Sequence, residues 1–250
     1  ASEIKALKQS HTFDARIDYE ALGIFLSTYY IPEPWTPFKN IKRLQSGSYI
    51  IINKNDIIIK KYFDYNFLEK HEKITKNEAS EEIARLFKLS VQKQTLSDVP
   101  VGLLLSGGLD SRSILSVISE KIEKPKTFTI GFGEKSYSEG NLAHFWSSVY
   151  GSDHHELIYT SKDLEKGLID AQLHFDEPCG AFAYTSLVML AKKIKDSNIK
   201  VVLSGTGGDE LFAGYPTLNA ANIARYYRYL PNAIRKNLIA PLINSFPAGE

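Results

Sequence analysis

Val101-Gly-Leu-Leu-Leu-Ser-Gly-Gly-Leu-Asp-Ser111 is the stretch on which the reading of the fold turns. Residues 101–105 form a short apolar run without alternation, as expected of a strand buried on both faces of a parallel sheet. After the run, Ile114, Leu115, Val117, Ile118 and Ile122 recur at helical spacing, so the whole reads as strand, loop, helix. Gly107 and Gly108 lack a Cβ, can take positive φ and let backbone amides approach an anion closely. The helix adds unpaired N-terminal amides and the positive end of its dipole, and Ser106 and Ser111 add hydroxyl donors. Asp110 would repel a phosphate held there unless a cation bridges the two. Mg²⁺, bound by one or two carboxylates plus phosphate oxygens, resolves the conflict, and Asp110 is read as its ligand. A tight turn with glycines for geometry and Asp or Ser as caps explains most such loops taken singly; placement between strand and helix is what favours phosphate here.

The pattern continues outward. Phe128-Thr-Ile130 and Val201-Val-Leu203 are further short apolar runs, with helical patterns between them. Such alternation predicts a doubly wound α/β domain with a parallel sheet, whose ligands bind beyond the carboxyl ends of its strands. Ser204-Gly-Thr-Gly-Gly-Asp-Glu-Leu-Phe-Ala-Gly-Tyr215 follows the last run and repeats the design: glycines, hydroxyls, then acids. Asp209 and Glu210 are therefore candidate metal or substrate contacts; a capped short helix after a glycine loop is the plain alternative. Two acid-bearing glycine loops suit one triphosphate held by two carboxylates through Mg²⁺. Gly131-Phe-Gly-Glu-Lys-Ser136 imitates a Walker loop, but Glu134 separates Gly133 from Lys135 and spoils the spacing.

Upstream, Tyr19, Leu22, Phe25, Leu26 and Tyr29 mark an amphipathic helix capped by Asp18. Pro32, Pro34 and Pro37 exclude regular helix over residues 31–45. Residues 48–52 and 57–63 flank the polar turn Asn53-Lys-Asn-Asp56 as a hairpin that should end a first module. Thr75 and Glu78 match a capping box, opening a long helix with Ile83, Leu86, Phe87 and Val91 on one face. Residues 1–65 and 75–250 are accordingly the expected modules.

The 250 residues carry 30 Lys and Arg against 29 Asp and Glu, so no field of one sign points to nucleic acid or an anionic membrane. Small-molecule partners are expected. The lone Cys179 excludes an internal disulfide and a four-thiolate metal site, in keeping with a cytoplasmic location, and is read as a small buried hydrophobe. No apolar stretch approaches the roughly 20 residues that span a bilayer. His11, His71, His144 and His174 lack metal-ligand spacing, and His154-His155 adjoin an expected strand. Tyr226, Tyr227 and Tyr229 read as packing residues, since no basic groove accompanies them. Ala1 at the start, and no helix stop over residues 245–250, lead to the expectation that both ends are cuts.

The loop at residues 106–111 resembles the pyrophosphatase loop of N-type ATP pyrophosphatases, a group that includes asparagine, β-lactam, GMP and NAD synthetases and tRNA-modifying enzymes. The loop at residues 204–215 is similar to that of the asparagine synthetases and their close relatives. Phe128-Thr-Ile-Gly-Phe132, His154-His155-Glu156 and Asp176-Glu177-Pro178 also stand where that family has similar tracts, and Tyr30-Ile-Pro32 through Gly47-Ser-Tyr49 resembles the end of its N-terminal glutaminase domain and the link that follows. The resemblance implies an adenine nucleotide alpha hydrolase-like fold preceded by the remnant of an α+β glutaminase domain, with ATP and Mg²⁺ as cofactors. It implies adenylation of a substrate carboxylate, most simply L-aspartate, and displacement of AMP by ammonia drawn from glutamine. In those terms Leu105, Ile130 and Gly131 lie against adenine, while Ser106, Gly107, Gly108, Ser111, Ser204 and Gly205 hold the phosphates. Asp110 and Asp209 carry the metal, Glu210 joins them in catalysis, and Asp176, Glu177 and Thr206 read the substrate. A lysine further along the family's chain and a homodimeric assembly are open on this reading. Thr206 stands where many asparagine synthetases carry a glutamate, which leaves a sugar acid, a peptide or a β-amino acid as the alternative acceptor, and a nucleotide-binding relative without catalysis as the alternative class. Arg112, where small residues are common, either pairs with phosphate or points to solvent.

Overall fold

The structure, a computed structural model, describes residues 1–65, 74–132, 140–180 and 182–244. His71, residues 133–136 of the false Walker loop and residues 245–250 lie outside them. By its contacts the chain divides into two units, Ala1–Leu203 and Ser204–Glu250, a boundary that falls inside the second expected module.

The first unit begins with α1 (Ile4–Leu7) and α2 (Tyr19–Thr28). Asp18 caps α2 as expected, its Oδ1 accepting the amides of Glu20 and Ala21 at 3.2 Å. The proline-bearing segment follows, then the antiparallel hairpin β1 (Ser48–Ile52) and β2 (Ile57–Lys61), with Ile52 paired to Ile57 across the turn. Next comes α3 (Lys76–Gln94), whose capping box is fully made: Thr75 Oγ1 accepts the Glu78 amide, and Glu78 accepts the Thr75 amide at 2.8 Å.

The central sheet contains β3 (Val101–Leu104), β4 (Lys126–Phe132), β5 (Asp153–Tyr159) and β6 (Val201–Leu203), in the order β5-β4-β3-β6 and parallel throughout. α4 (Leu109–Ile118), α5 (Gly140–Val149), α6 (Ser161–Phe175) and α7 (Phe182–Asp196) make the crossovers. Alternation along β3 sends its side chains to opposite faces. Leu103 and Leu105 join Val91, Ile114, Leu115, Ala143 and Leu203 in one core, against α3, α4 and α5. Leu104 instead packs with Phe128, Leu190, Ile194 and Ile199 on the α7 side. Helices on both faces make the sheet doubly wound, as the alternation of elements implies. β4 and β5 extend from β3 in one direction and β6 adds on the other, so the topological switch point lies between β3 and β6. In open α/β sheets that crevice, beyond the carboxyl ends of the strands, is where ligands bind.

The second unit holds α8 (Gly208–Phe212), α9 (Pro216–Tyr229), α10 (Asn232–Ile234), a π-helical turn and α11 (Ala240–Asn244). Among its described residues none is buried. Tyr226 and Tyr229 are 74% and 77% exposed, which corrects their reading as packing residues; Tyr227 alone has a partner of note, with Arg235 over its ring at 5.6 Å.

Candidate functional site

The first glycine loop leaves β3 directly: the Leu105 amide donates to Phe128 O at 2.8 Å, and the chain turns at Ser106. Gly107 has φ +81°, and a Cβ there would meet Leu142 Cβ at 2.7 Å and the Ala143 nitrogen at 2.9 Å, so both conformation and space demand glycine. Ser111 Oγ sits at the centre of the loop. It donates to Gly108 O at 3.3 Å and accepts the Ser106 amide at 3.2 Å, while Ser106 Oγ accepts the Gly108 amide at 3.3 Å. Ser111 is buried, and its hydroxyl shapes the loop. Ser106 is exposed at the loop's surface.

No side chain caps α4 at Gly108, and the first amides of a helix have no acceptor within it. Amides so placed are suited to an anion. Asp110, half-buried, occupies the first turn. Leu105 is buried in the core at 1% exposure, so only its backbone is available to a ligand. Ile130 and Gly131 lie along β4 beyond its pairing with β3. Gly131 is buried beneath the neighbouring strand: a Cβ on it would stand 2.8 Å from Glu156 Oε1. The Arg112 guanidinium stacks over Trp146 at 4.9 Å from the ring centre.

The second loop is built within its own unit. Ser204 Oγ donates to Thr206 Oγ1 at 3.0 Å, and Gly207 takes φ +98° to start α8 without a side-chain cap. Asp209 and Glu210 occupy the first turn, both exposed. Gly214 lies against the Asp209 carboxylate so closely that a Cβ would overlap Oδ1. Glu210 Oε1 accepts the Tyr215 hydroxyl at 2.6 Å, a bond that holds the carboxyl below its ordinary pKa and pushes the phenol up.

Asp176 and Glu177 are engaged elsewhere. Asp176 Oδ2 accepts the Lys5 backbone amide at 2.8 Å, and Glu177 Oε2 accepts from the Arg43 guanidinium. The structure thus gathers residues 105–111 with Ile130 and Gly131 at the end of the sheet, and pairs the two acids with Lys5 and Arg43 of the N-terminal segment. Lys5 and Arg43 carry no local signal in the sequence, being 171 and 134 residues from their partners. Glu156 stands in a tract that the sequence makes visible, but its reach over Gly131 needs the β4–β5 register.

Among the described residues no three His, Cys, Asp or Glu side chains cluster so as to hold a metal unaided. The uncapped α4 amides and the close backbone at Gly107 fit a polyphosphate.

Residues 82–248 match the family described as asparagine synthase, and residues 1–63 match a glutamine amidotransferase domain. The chain is 33% identical over 240 residues to a glutamine-hydrolysing asparagine synthetase 1 of Bacillus subtilis (strain 168), covering 96% of this chain and 37% of that protein. A putative glutamine-hydrolysing asparagine synthetase of Mycobacterium bovis is 31% identical over 229 residues, covering 90% of this chain and 35% of its own. The chain therefore spans little more than a third of these curated relatives. Among solved structures, an NH3-dependent NAD synthetase of Campylobacter jejuni aligns with a TM-score of 0.38 at 14% identity, over 54% of this chain and 60% of that one.

Proposed function

The chain belongs to the asparagine synthase family, and on that premise we propose that it is the ATP-using part of a ligase that adenylates a substrate carboxylate and joins it to ammonia. L-Aspartate is the proposed acceptor and glutamine, through the module to which residues 1–63 belong, the proposed source of ammonia. The observation that carries this reading is the loop at residues 106–111: a strand end beside the topological switch point, a glycine at φ +81° and a helix start without a side-chain cap.

In this reading a carboxylate oxygen attacks the α-phosphorus, the bond to the pyrophosphate breaks, and ammonia then displaces AMP to leave an amide. Negative charge grows on the departing pyrophosphate, and donors fixed beforehand stabilise it more than they stabilise the ground state. The α4 amides serve that purpose, with Gly107 allowing the backbone to come close. The backbone of Leu105, Ile130 and Gly131 orients the base. Asp110 and Asp209 are proposed to hold Mg²⁺, which when bound offsets phosphate charge. Glu210, kept ionised by Tyr215, is proposed to orient the substrate's amino group.

A different acceptor is the second reading, favoured by Thr206: a neutral hydroxyl already paired with Ser204 offers no carboxylate for an ammonium group.

The full-length protein given MgATP, ammonium and L-aspartate should yield AMP that depends on aspartate. AMP with another carboxylate alone would establish the second reading, and ADP as product would overturn adenylation. Asp110→Asn should lower AMP formation about a hundredfold, as does loss of one electrostatic stabiliser elsewhere.

A further inference from the structure

The segment joining α6 to α7 is held from two sides. From within, Gln172 on α6 clamps Cys179 in both directions, its Nε2 donating to Cys179 O at 3.0 Å and its Oε1 accepting the Cys179 amide at 3.2 Å. From without, three separate points of the N-terminal segment reach it. Lys5 donates its backbone amide to Asp176 at 2.8 Å and its Nζ to His174 O at 2.7 Å, with Nζ also 3.7 Å from the Asp176 carboxylate. Arg43 donates through Nη2 to Glu177 and through Nη1 to Ile31 O at 3.1 Å, so one guanidinium spans both partners. Tyr29, the left-handed residue that ends α2, accepts the Gly180 amide at 3.2 Å, and a Cβ on Gly180 would stand 2.7 Å from the Tyr29 Cβ.

The energetics rank these contacts. The Asp176 side chain keeps only 6% of its surface in water, and Glu177 keeps 25% against 35% for Arg43. Exposed pairs are worth little; Asp176, nearly out of water, would be left as an uncompensated charge without its partner, and the half-buried Arg43–Glu177 pair lies between those two cases. Arginine's planar fork also fixes direction, which a lysine at the same place would not.

We propose that residues 176–180 form the joint at which the N-terminal module is held on the ATP-using domain, with Arg43 and Lys5 as positioning residues that keep glutamine hydrolysis in step with adenylation. This rests on the proposed function, and it gives Asp176 and Glu177 a mechanical role in place of substrate reading. Neither module's chemistry requires these ion pairs; the coupling between the two modules does.

The test uses the full-length protein and the variants Arg43→Glu, Glu177→Arg and their combination, with the milder Arg43→Gln in case the reversal fails to fold. Two quantities are followed: glutamate released per AMP formed with glutamine as donor, and amide hydrogen exchange over residues 26–45 and 172–180. Arg43→Glu should raise the glutamate-to-AMP ratio by about threefold or more and quicken exchange in both segments, with AMP formation from ammonium unchanged; the double reversal should restore both. An unchanged ratio and unchanged exchange in both Arg43 variants overturn the proposal. So does loss of ammonium-driven AMP formation in Glu177→Arg that the double reversal leaves unrepaired, since Glu177 would then belong to the substrate. If the parent forms no AMP with any carboxylate, the functional reading fails, while the exchange comparison still decides whether the joint exists.

Discussion

Gly107 shows how much a single residue can be asked to do. Its φ of +81° alone would cost another residue about 1–3 kcal/mol, and a methyl group would be driven against Leu142 and Ala143 in addition. Gly107→Ala should lower the melting temperature and weaken nucleotide binding together; a melting point within error of the parent would contradict the positive φ. His154 makes a different kind of prediction. Its Nδ1 shares a hydrogen bond with the buried Thr127 hydroxyl at 2.9 Å, and its Nε2 is buried without a partner. Burial first, then the nearby His144 on α5 and His155, holds its pKa below the ordinary value of 6.5, while Glu156 opposes them. The unfolded chain therefore takes up a proton before the folded one does, so this contribution is complete above pH 6.5 and is lost as the pH falls below it. Thermal melts from pH 8 to pH 5 should show a steeper loss in the parent than in His154→Asn. Equal slopes would mean that the imidazole is not buried in this way.

Elements differ in how openly the sequence declares them. The capping box at Thr75 and Glu78 is plain because it is local, and a second one, Thr160 with Asp163, starts α6 in the same manner. Thr75→Ala and Thr160→Ala should each cost about 1 kcal/mol in urea unfolding, and their sum should hold within about 0.5 kcal/mol because they share no partner. β3 is legible for a related reason: a strand covered on both faces must be apolar, and a run of such residues stands out. β5 escapes that logic. Asp153-His-His-Glu-Leu-Ile-Tyr159 pairs on one side only, with β4, and half of it faces water, so it needs no apolar run. The joint at residues 176–180 was illegible for a stronger reason, since its partners lie far away along the chain and ordinary in type. Acids beside a proline look the same in the sequence whether they read a substrate or hold a module, and Lys5 and Arg43 lie too far along the chain to mark either.

At the scale of the molecule, the sheet order carries the most weight. Reversal of direction at β3 leaves the carboxyl ends of β3 and β6 as neighbours, and residues 106 and 204 begin there. The two units are unequal in packing: the first has cores on both sheet faces, while no described residue from Ser204 onward is buried. In the 250-residue chain, amides of α9 should therefore exchange with solvent well ahead of those in β3 and β4. Protection of α9 equal to that of β4 would show the packing to be otherwise. The Ser106–Ser111 network has a consequence of its own. A loop whose shape is set by hydrogen bonds within the protein has already lost its freedom when the chain folds. Capture of a nucleotide there should be a single encounter step, with an observed rate that climbs in proportion to nucleotide concentration and never levels off to reveal a slow closing of the loop.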